Sequence, residues 1–271
     1  TVLGRSVSSG GTLPEKALAG KTSEELAQTH NVRAKHSIES SCARESDVFT
    51  TVSQVTCDEA ELFFGRKAEP LLPNGIDLAV IDELAGATTR EAAEARLRDL
   101  ARRFTGEDVS NARLLCISGR YEFHNKGIDL LLDALAKLNA KPGRGVVLFV
   151  LVPAGNSGLR REVIERQKQD LGSIQGPIGL STHNLFEPEK DPLQQRCREL
   201  GLSNALGARV KVIQVPVYLG VGDGIFDLPY EAVLRAMDLS CFPSFYEPWG
   251  YTPEESLAVG VPTITTDCAG F

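Results

Sequence analysis

Hydrophobic and polar positions change rhythm part-way along this 271-residue chain. From residue 113 onward, apolar runs of strand length alternate with stretches of helical period. Arg113 to Ser118 (RLLCIS) reads as a strand. Val146 to Val152 reads as a strand apolar on both faces, which suits the centre of a parallel sheet. Between them, Gly127 to Leu138 sets Ile128, Leu131, Leu132, Leu135 and Leu138 on one helical face. A charged helix follows near 159–170, then a stretch without clear period over 172–192. A helix over 193–200, a strand over 209–215, a helix over 230–237, a strand over 239–242, a helix over 254–259 and a strand over 263–266 complete the series. Repeated βα units with short connections predict an α/β fold built on a doubly wound parallel sheet.

The first part of the chain is less regular. Asp47 to Val52 (DVFTTV) reads as a short buried strand, and Ser53 as the cap of a helix over 55–64 closed by Gly65. A Pro-Asn-Gly turn within Leu71 to Ile76 marks a domain boundary. Residues 89–104, rich in Ala, Glu, Leu and Arg, predict a polar helix bridging two halves. The chain starts at Thr1 and stops just after a strand-like run, as an internal fragment would.

Composition narrows the function. With 42% hydrophobic and 24% charged residues this is an ordinary globular chain of one or two domains. Its longest apolar run, Val146 to Pro153, is far short of a membrane-spanning helix. A net charge of −7 argues against broad nucleic-acid binding, so any anion must be gripped by a few placed cations and amides. The six cysteines form no CxxC pair and the four histidines no ligand spacing, which predicts buried free thiols in a reducing compartment and no metal site.

Ligands of open parallel sheets bind outside the carboxyl ends of strands, and two segments there carry unusual chemistry. Gly119 to Gly127 (GRYEFHNKG) leaves a strand and enters a helix, with Arg120 and Lys126 where the helix dipole and free amides would add to their charge on a phosphate. The bland alternative is a solvated loop paired with surface acids. Ser244 to Glu255 (SFYEPWGYTPEE) carries the single tryptophan in a rigid aromatic loop. Its Thr252-Pro253 helix start could offer amides to a phosphate, with Glu247 on sugar hydroxyls. The alternative there is a capping acid and a packing tryptophan. Elsewhere the bland readings stand: His36 and His124 as loop or cap hydrogen-bonders, GVGDG (220–224) as a flexible surface loop, and Asp58, Glu59 and Glu61 as a solvated helix face.

GRYEFHNKG and PSFYEPWGYTPEES closely resemble the signatures of the GT-B-fold glycogen synthases of animals, fungi and bacteria (glycosyltransferase family 3). SDVFTTVSQVT, LLPNGID and TVLGR resemble further segments of that family in the same order, whereas residues 156–208 fit only loosely. The resemblance implies a GT-B architecture of two Rossmann-like domains. Residues 1–75 would be the end of the acceptor-side domain, 76–111 the connection, and 112–271 most of the nucleotide-sugar domain. It implies that Arg120 and Lys126 grip the donor diphosphate and stabilise the leaving group, with Glu247 near the transferred glucose. Glu255 would bind the ribose and Arg5 would face the phosphates across the cleft. Trp249, Gly250, Tyr251 and Thr252 would form the loop holding phosphate and sugar.

Such enzymes transfer glucose, with retention and without metal or cofactor, to the 4-hydroxyl of a glycogen chain end. The resemblance leaves UDP-glucose and ADP-glucose both open, with UDP-glucose favoured, and implies a cytoplasmic homo-oligomer. The family's first βα unit, the histidine before TVLGR and the closing C-terminal helices are expected outside this sequence, leaving the fragment alone inactive. Another GT-B transferase and a non-catalytic glycogen- or nucleotide-binding relative remain alternatives. A retaining glycosidase, which needs two flanking carboxyls, has no use for Arg120 and Lys126.

Overall fold

The computed structural model describes residues 1–271. Five helices come first: α1 (Val2–Ser9), α2 (Pro14–Leu18), α3 (Ser23–Thr29), α4 (Arg33–Glu45) and α5 (Gln54–Phe64). They bury Leu3, Val7, Leu26, Ala43, Ala60 and Phe63 in a small core of their own. Ser53 caps α5 and Gly65 closes it in the left-handed conformation, as the sequence predicts. The segment 47–52 is not a strand. It stays extended and makes one parallel bridge, Thr51 to Leu71, because no second neighbour completes a ladder around it.

Next come α6 (Leu78–Ala85), α7 (Arg90–Thr105), β1 (Arg113–Ser118), α8 (Ile128–Asn139), β2 (Val146–Leu151), β3 (Asn156–Leu159), α9 (Arg161–Lys168), β4 (His183–Leu185) and α10 (Pro192–Leu200). The chain closes with β5 (Val210–Gln214), α11 (Tyr230–Arg235), β6 (Leu239–Phe242), α12 (Tyr251–Ala258) and β7 (Thr263–Thr265). Five strands form one sheet in the order β5-β2-β1-β6-β7, all parallel. Strand alternation sends Leu114, Cys116, Val147 and Phe149 into a core shared with α7 and α11, and Leu115, Ile117, Leu148 and Val150 into a second core beneath α8 and α10. Both faces are covered, which is why these strands read as continuous apolar runs.

Three expectations change. α7 is no free-standing bridge: Ala93, Leu97, Leu100 and Phe104 bury a full face against the sheet, and only the opposite face is polar. The stretch without clear period holds β4, which pairs antiparallel with β3 in a two-stranded sheet beside the main sheet. Loop 220–224 is an ordered knot, in which Asp223 Oδ1 accepts the amides of Ile225, Phe226 and Asp227. All six cysteines are free and four are buried, while Cys42 is exposed and Cys268 half-buried.

Candidate active site

The site forms where β1 and β6 end. After Ser118 the chain turns through Gly119 into the loop that enters α8. Gly127 closes this loop at φ 66°, and a side chain there would strike the carbonyl of Pro243 at the end of β6, so the two motif loops touch at this glycine. The amides of Lys126, Gly127 and Ile128 donate to the carbonyls of Glu122, His124 and Phe123. At this helix start the Ile128 amide is spent within the turn and the Leu130 amide on the Asp129 carboxylate, which leaves the Asp129 amide without an acceptor.

The charged side chains converge. Lys126 pairs with the Glu247 carboxylate, both nearly buried. Arg5, on α1, reaches across from the helical part to Glu122, donating through Nε at 3.0 Å and through Nη2. Arg120 approaches the same carboxylate at 3.4 Å, and Asn125 Nδ2 donates to it at 3.1 Å. Burial alone would raise the Glu122 carboxyl, but the Asn125 hydrogen bond and the Arg5 guanidinium hold it below the usual carboxylate range. Arg5, Arg120, Glu122 and Lys126 line one cavity of about 190 Å³.

A second cavity, about 350 Å³, opens on the other side of Arg120, among Ser118, Gly119, Tyr230, Tyr218, Thr252 and Glu255. Thr252 and Glu255 lie one turn apart on α12, which starts at Gly250 in the left-handed region (φ 116°) without a side-chain cap. No group accepts the amides of Tyr251 and Thr252, so this helix start keeps unspent donors. Burial, with Glu231 and Glu254 nearby, pushes the Glu255 carboxyl up to about 7. Tyr230 shares its hydroxyl with Ser118 Oγ at 2.7 Å, and burial raises that phenol well above its ordinary value.

Side-chain hydrogen bonds join the helical part to the second motif loop, among them one from Tyr246 to the Thr1 carbonyl at 3.1 Å. Tyr246 donates to Glu59 Oε2 at 3.0 Å, and Ser53 Oγ donates to the Pro248 carbonyl at 2.7 Å.

The family profile described as glycogen synthase matches residues 1–169 and 155–271. The chain belongs to the glycogen synthase family. The glycogen [starch] synthase isoform 2 of Saccharomyces cerevisiae is 30% identical over 339 residues, covering 100% of this chain and 48% of that protein. The liver glycogen [starch] synthase of Homo sapiens is 31% identical over 281 residues, covering 83% of this chain and 40% of that protein. The chain thus spans about half the length, or less, of these curated relatives.

Among solved structures, an α,α-trehalose-phosphate synthase (UDP-forming) from Burkholderia vietnamiensis aligns with TM-score 0.56 at 13% identity, covering 89% of this chain and 51% of that one. WaaG, a glycosyltransferase involved in lipopolysaccharide biosynthesis, aligns with TM-score 0.52 at 18% identity, covering 94% of this chain and 54% of that one. These likenesses place the chain in the GT-B fold.

The fold of this family member brings Arg5, Arg120, Lys126 and Glu247 to one place and Thr252 and Glu255 to the adjoining cavity. Trp249 lines neither: its indole N–H donates to Glu254 at 2.9 Å and its ring meets Phe271 edge-on. Tyr251 is half-exposed at the helix start, also outside both linings. Glu59, expected on a solvated face, is buried against Tyr246. His36, expected on a loop, is buried on α4 with neither ring nitrogen bonded and its ring tilted over Phe64. His124 does bond locally, through Nδ1 to Asp129 at 2.6 Å, and stacks on Phe245. Glu122 and Tyr230 were missed as site residues. Glu122 sits between the two cations of its motif, a signal in plain view, whereas Tyr230 looks like any helix-start residue.

Proposed function

We propose that the protein containing this chain is a retaining glucosyltransferase that moves glucose from a nucleotide sugar to the 4-hydroxyl of a glycogen chain end. UDP-glucose is the favoured donor. The observation that carries this reading is the convergence of Arg5, Arg120 and Lys126 around one cavity beside the open start of α12. A departing nucleoside diphosphate gains negative charge, and preorganised cations and amides stabilise it where a metal would otherwise be needed. Glu247, held by Lys126, faces the sugar end of that path, and Glu255 in the adjoining cavity takes the ribose. Glu247 and Glu255 stand in different surroundings, one ion-paired and one in its own cavity, which does not suit the paired carboxyls of a glycosidase. The same reading carries a cytoplasmic setting, a homo-oligomer and a glucan acceptor. No helix here is long and apolar enough to cross a membrane.

Labelled-glucose incorporation into glycogen by the full-length protein tests it, with UDP-glucose and ADP-glucose in parallel and Lys126→Ala as control. Incorporation that collapses in the variant supports the reading and names the donor. A folded protein that incorporates nothing from either donor overturns it.

A further inference from the structure

Arg5, on α1, and Arg120, on the loop after β1, come from different parts of the fold and carry like charges into one small cavity. Unassisted, two guanidiniums so placed repel each other and splay into water. One carboxylate prevents this. Glu122 takes the Nε and Nη2 edge of Arg5 and, at 3.4 Å, the Nε of Arg120. Arg5 keeps Nη1 and Arg120 keeps both Nη groups without a protein acceptor, and both side chains remain substantially exposed. Glu122 itself, side chain and backbone, is fixed from three directions. Asn125 Nδ2 donates both to it and to Ser9 Oγ on α1, the Glu122 amide donates to the Arg120 carbonyl, and the Lys126 amide donates to the Glu122 carbonyl. Glu122 therefore touches, by side chain or backbone, all three cations of the cavity.

We propose that Glu122 is a positioning residue. It holds Arg5 and Arg120 by their inner edges so that their outer N–H groups face one anion of diphosphate type, and it fixes the distance between the two halves of the site. This rests on the transferase reading for the identity of the anion, though not for the geometry. Glu122 is not a placeholder that the ligand must expel: it occupies only the inner edges, and Arg–carboxylate pairs of this bidentate kind leave the remaining donors free.

The test uses the full-length protein with Glu122→Gln and Glu122→Asp, titrated with pyrophosphate and with UDP, alongside steady-state transfer from UDP-glucose. Glu122→Gln is expected to weaken pyrophosphate and UDP binding about tenfold and raise the donor KM to match, leaving the KM for glycogen unchanged. Glu122→Asp recovers part of that loss. In an Arg5→Ala background the Glu122→Gln effect shrinks to about twofold or less, because the residue it positions is gone. Unchanged or tighter pyrophosphate binding in Glu122→Gln overturns the proposal, as does full additivity with Arg5→Ala. So does a wild-type protein that binds no pyrophosphate. A wild-type protein that binds pyrophosphate but transfers no glucose sinks the transferase reading, and the variant comparison still decides Glu122.

Discussion

Two Lys–Glu pairs sit at opposite ends of the same sheet, and they have different jobs. Lys126 pairs with Glu247 at the carboxyl ends of the strands, and Lys211 pairs with Glu107 at the amino ends. Lys211 is saturated: besides Glu107 it donates to the Ala205 carbonyl at 2.7 Å, and Glu107 also accepts the Gly207 amide at 2.6 Å. Lys126 has no protein acceptor other than Glu247 and lines a cavity with two further cations. Size does not separate the two ends. The larger cavity, about 670 Å³, lies beside Lys211, where Arg209 spends Nε and Nη1 on the carbonyls of Leu138, Lys141 and Arg144. Position on the sheet, not volume, separates them, because ligands of open parallel sheets bind outside the carboxyl ends of the strands.

Exchanging the two lysines one at a time should break the symmetry most sharply. Lys126→Ala is expected to cut kcat/KM for the donor by about 10²–10³, as loss of a group aimed at developing charge does, and to lower urea stability as well, because Glu247 is left nearly buried and unpaired. Lys211→Met should likewise cost about 3 kcal/mol in urea unfolding, the low end for a broken buried pair because Glu107 keeps some water. Its kcat/KM per folded molecule should stay at the wild-type value. Equal stability losses with equal activities would erase the distinction between the two pairs.

The same contrast explains what could be read in the sequence. The central strands β1, β2 and β5 were legible because burial on both faces writes an apolar run that needs no partner to be recognised. The β3–β4 pair was not: NSGL and HNL are polar, short and glycine-bearing, and become strands only by pairing with each other. DVFTTV erred the other way, since its β-branched composition is strand-like but a strand also needs neighbours. Arg120, Lys126 and Glu247 were legible as chemistry through two long motifs. Glu59 was not, because an acid among acids on a helix looks solvated until Tyr246, far along the chain, covers it.

A finer separation lies between the two glutamates of the second motif. Glu247 is neutralised by Lys126, whereas Glu255 has like charges nearby and a carboxyl raised from an ordinary 4.5 to about 7. A raised folded-state value means the native protein holds a proton that the unfolded chain has released between those two pH values. This contribution to stability is thus fully present below about 4.5, declines as pH rises to about 7, and is flat above. If the ionised carboxylate binds the ribose, donor affinity should rise a few-fold as pH climbs through 7. Glu255→Gln should flatten both profiles. A wild-type profile for donor KM that is level from pH 6 to 8 would remove Glu255 from the binding surface.

The smallest expected effect concerns how the helical part is fastened to the site. Ser53 Oγ accepts the Thr56 amide at 3.3 Å, capping α5, and donates to the Pro248 carbonyl at 2.7 Å, one residue beyond Glu247. Ser53→Ala removes both bonds and should cost about 1–2 kcal/mol. Ser53→Gly removes both as well, but glycine is tolerated at a helix cap, so its capping loss is only a few tenths of a kcal/mol. If the bond to Pro248 holds the Glu247 loop in place, both variants should raise the donor KM by a similar factor of about two to three despite unequal stabilities. If KM instead tracks stability across the pair, the serine acts only through its helix, and the alignment of Glu247 owes nothing to this bond.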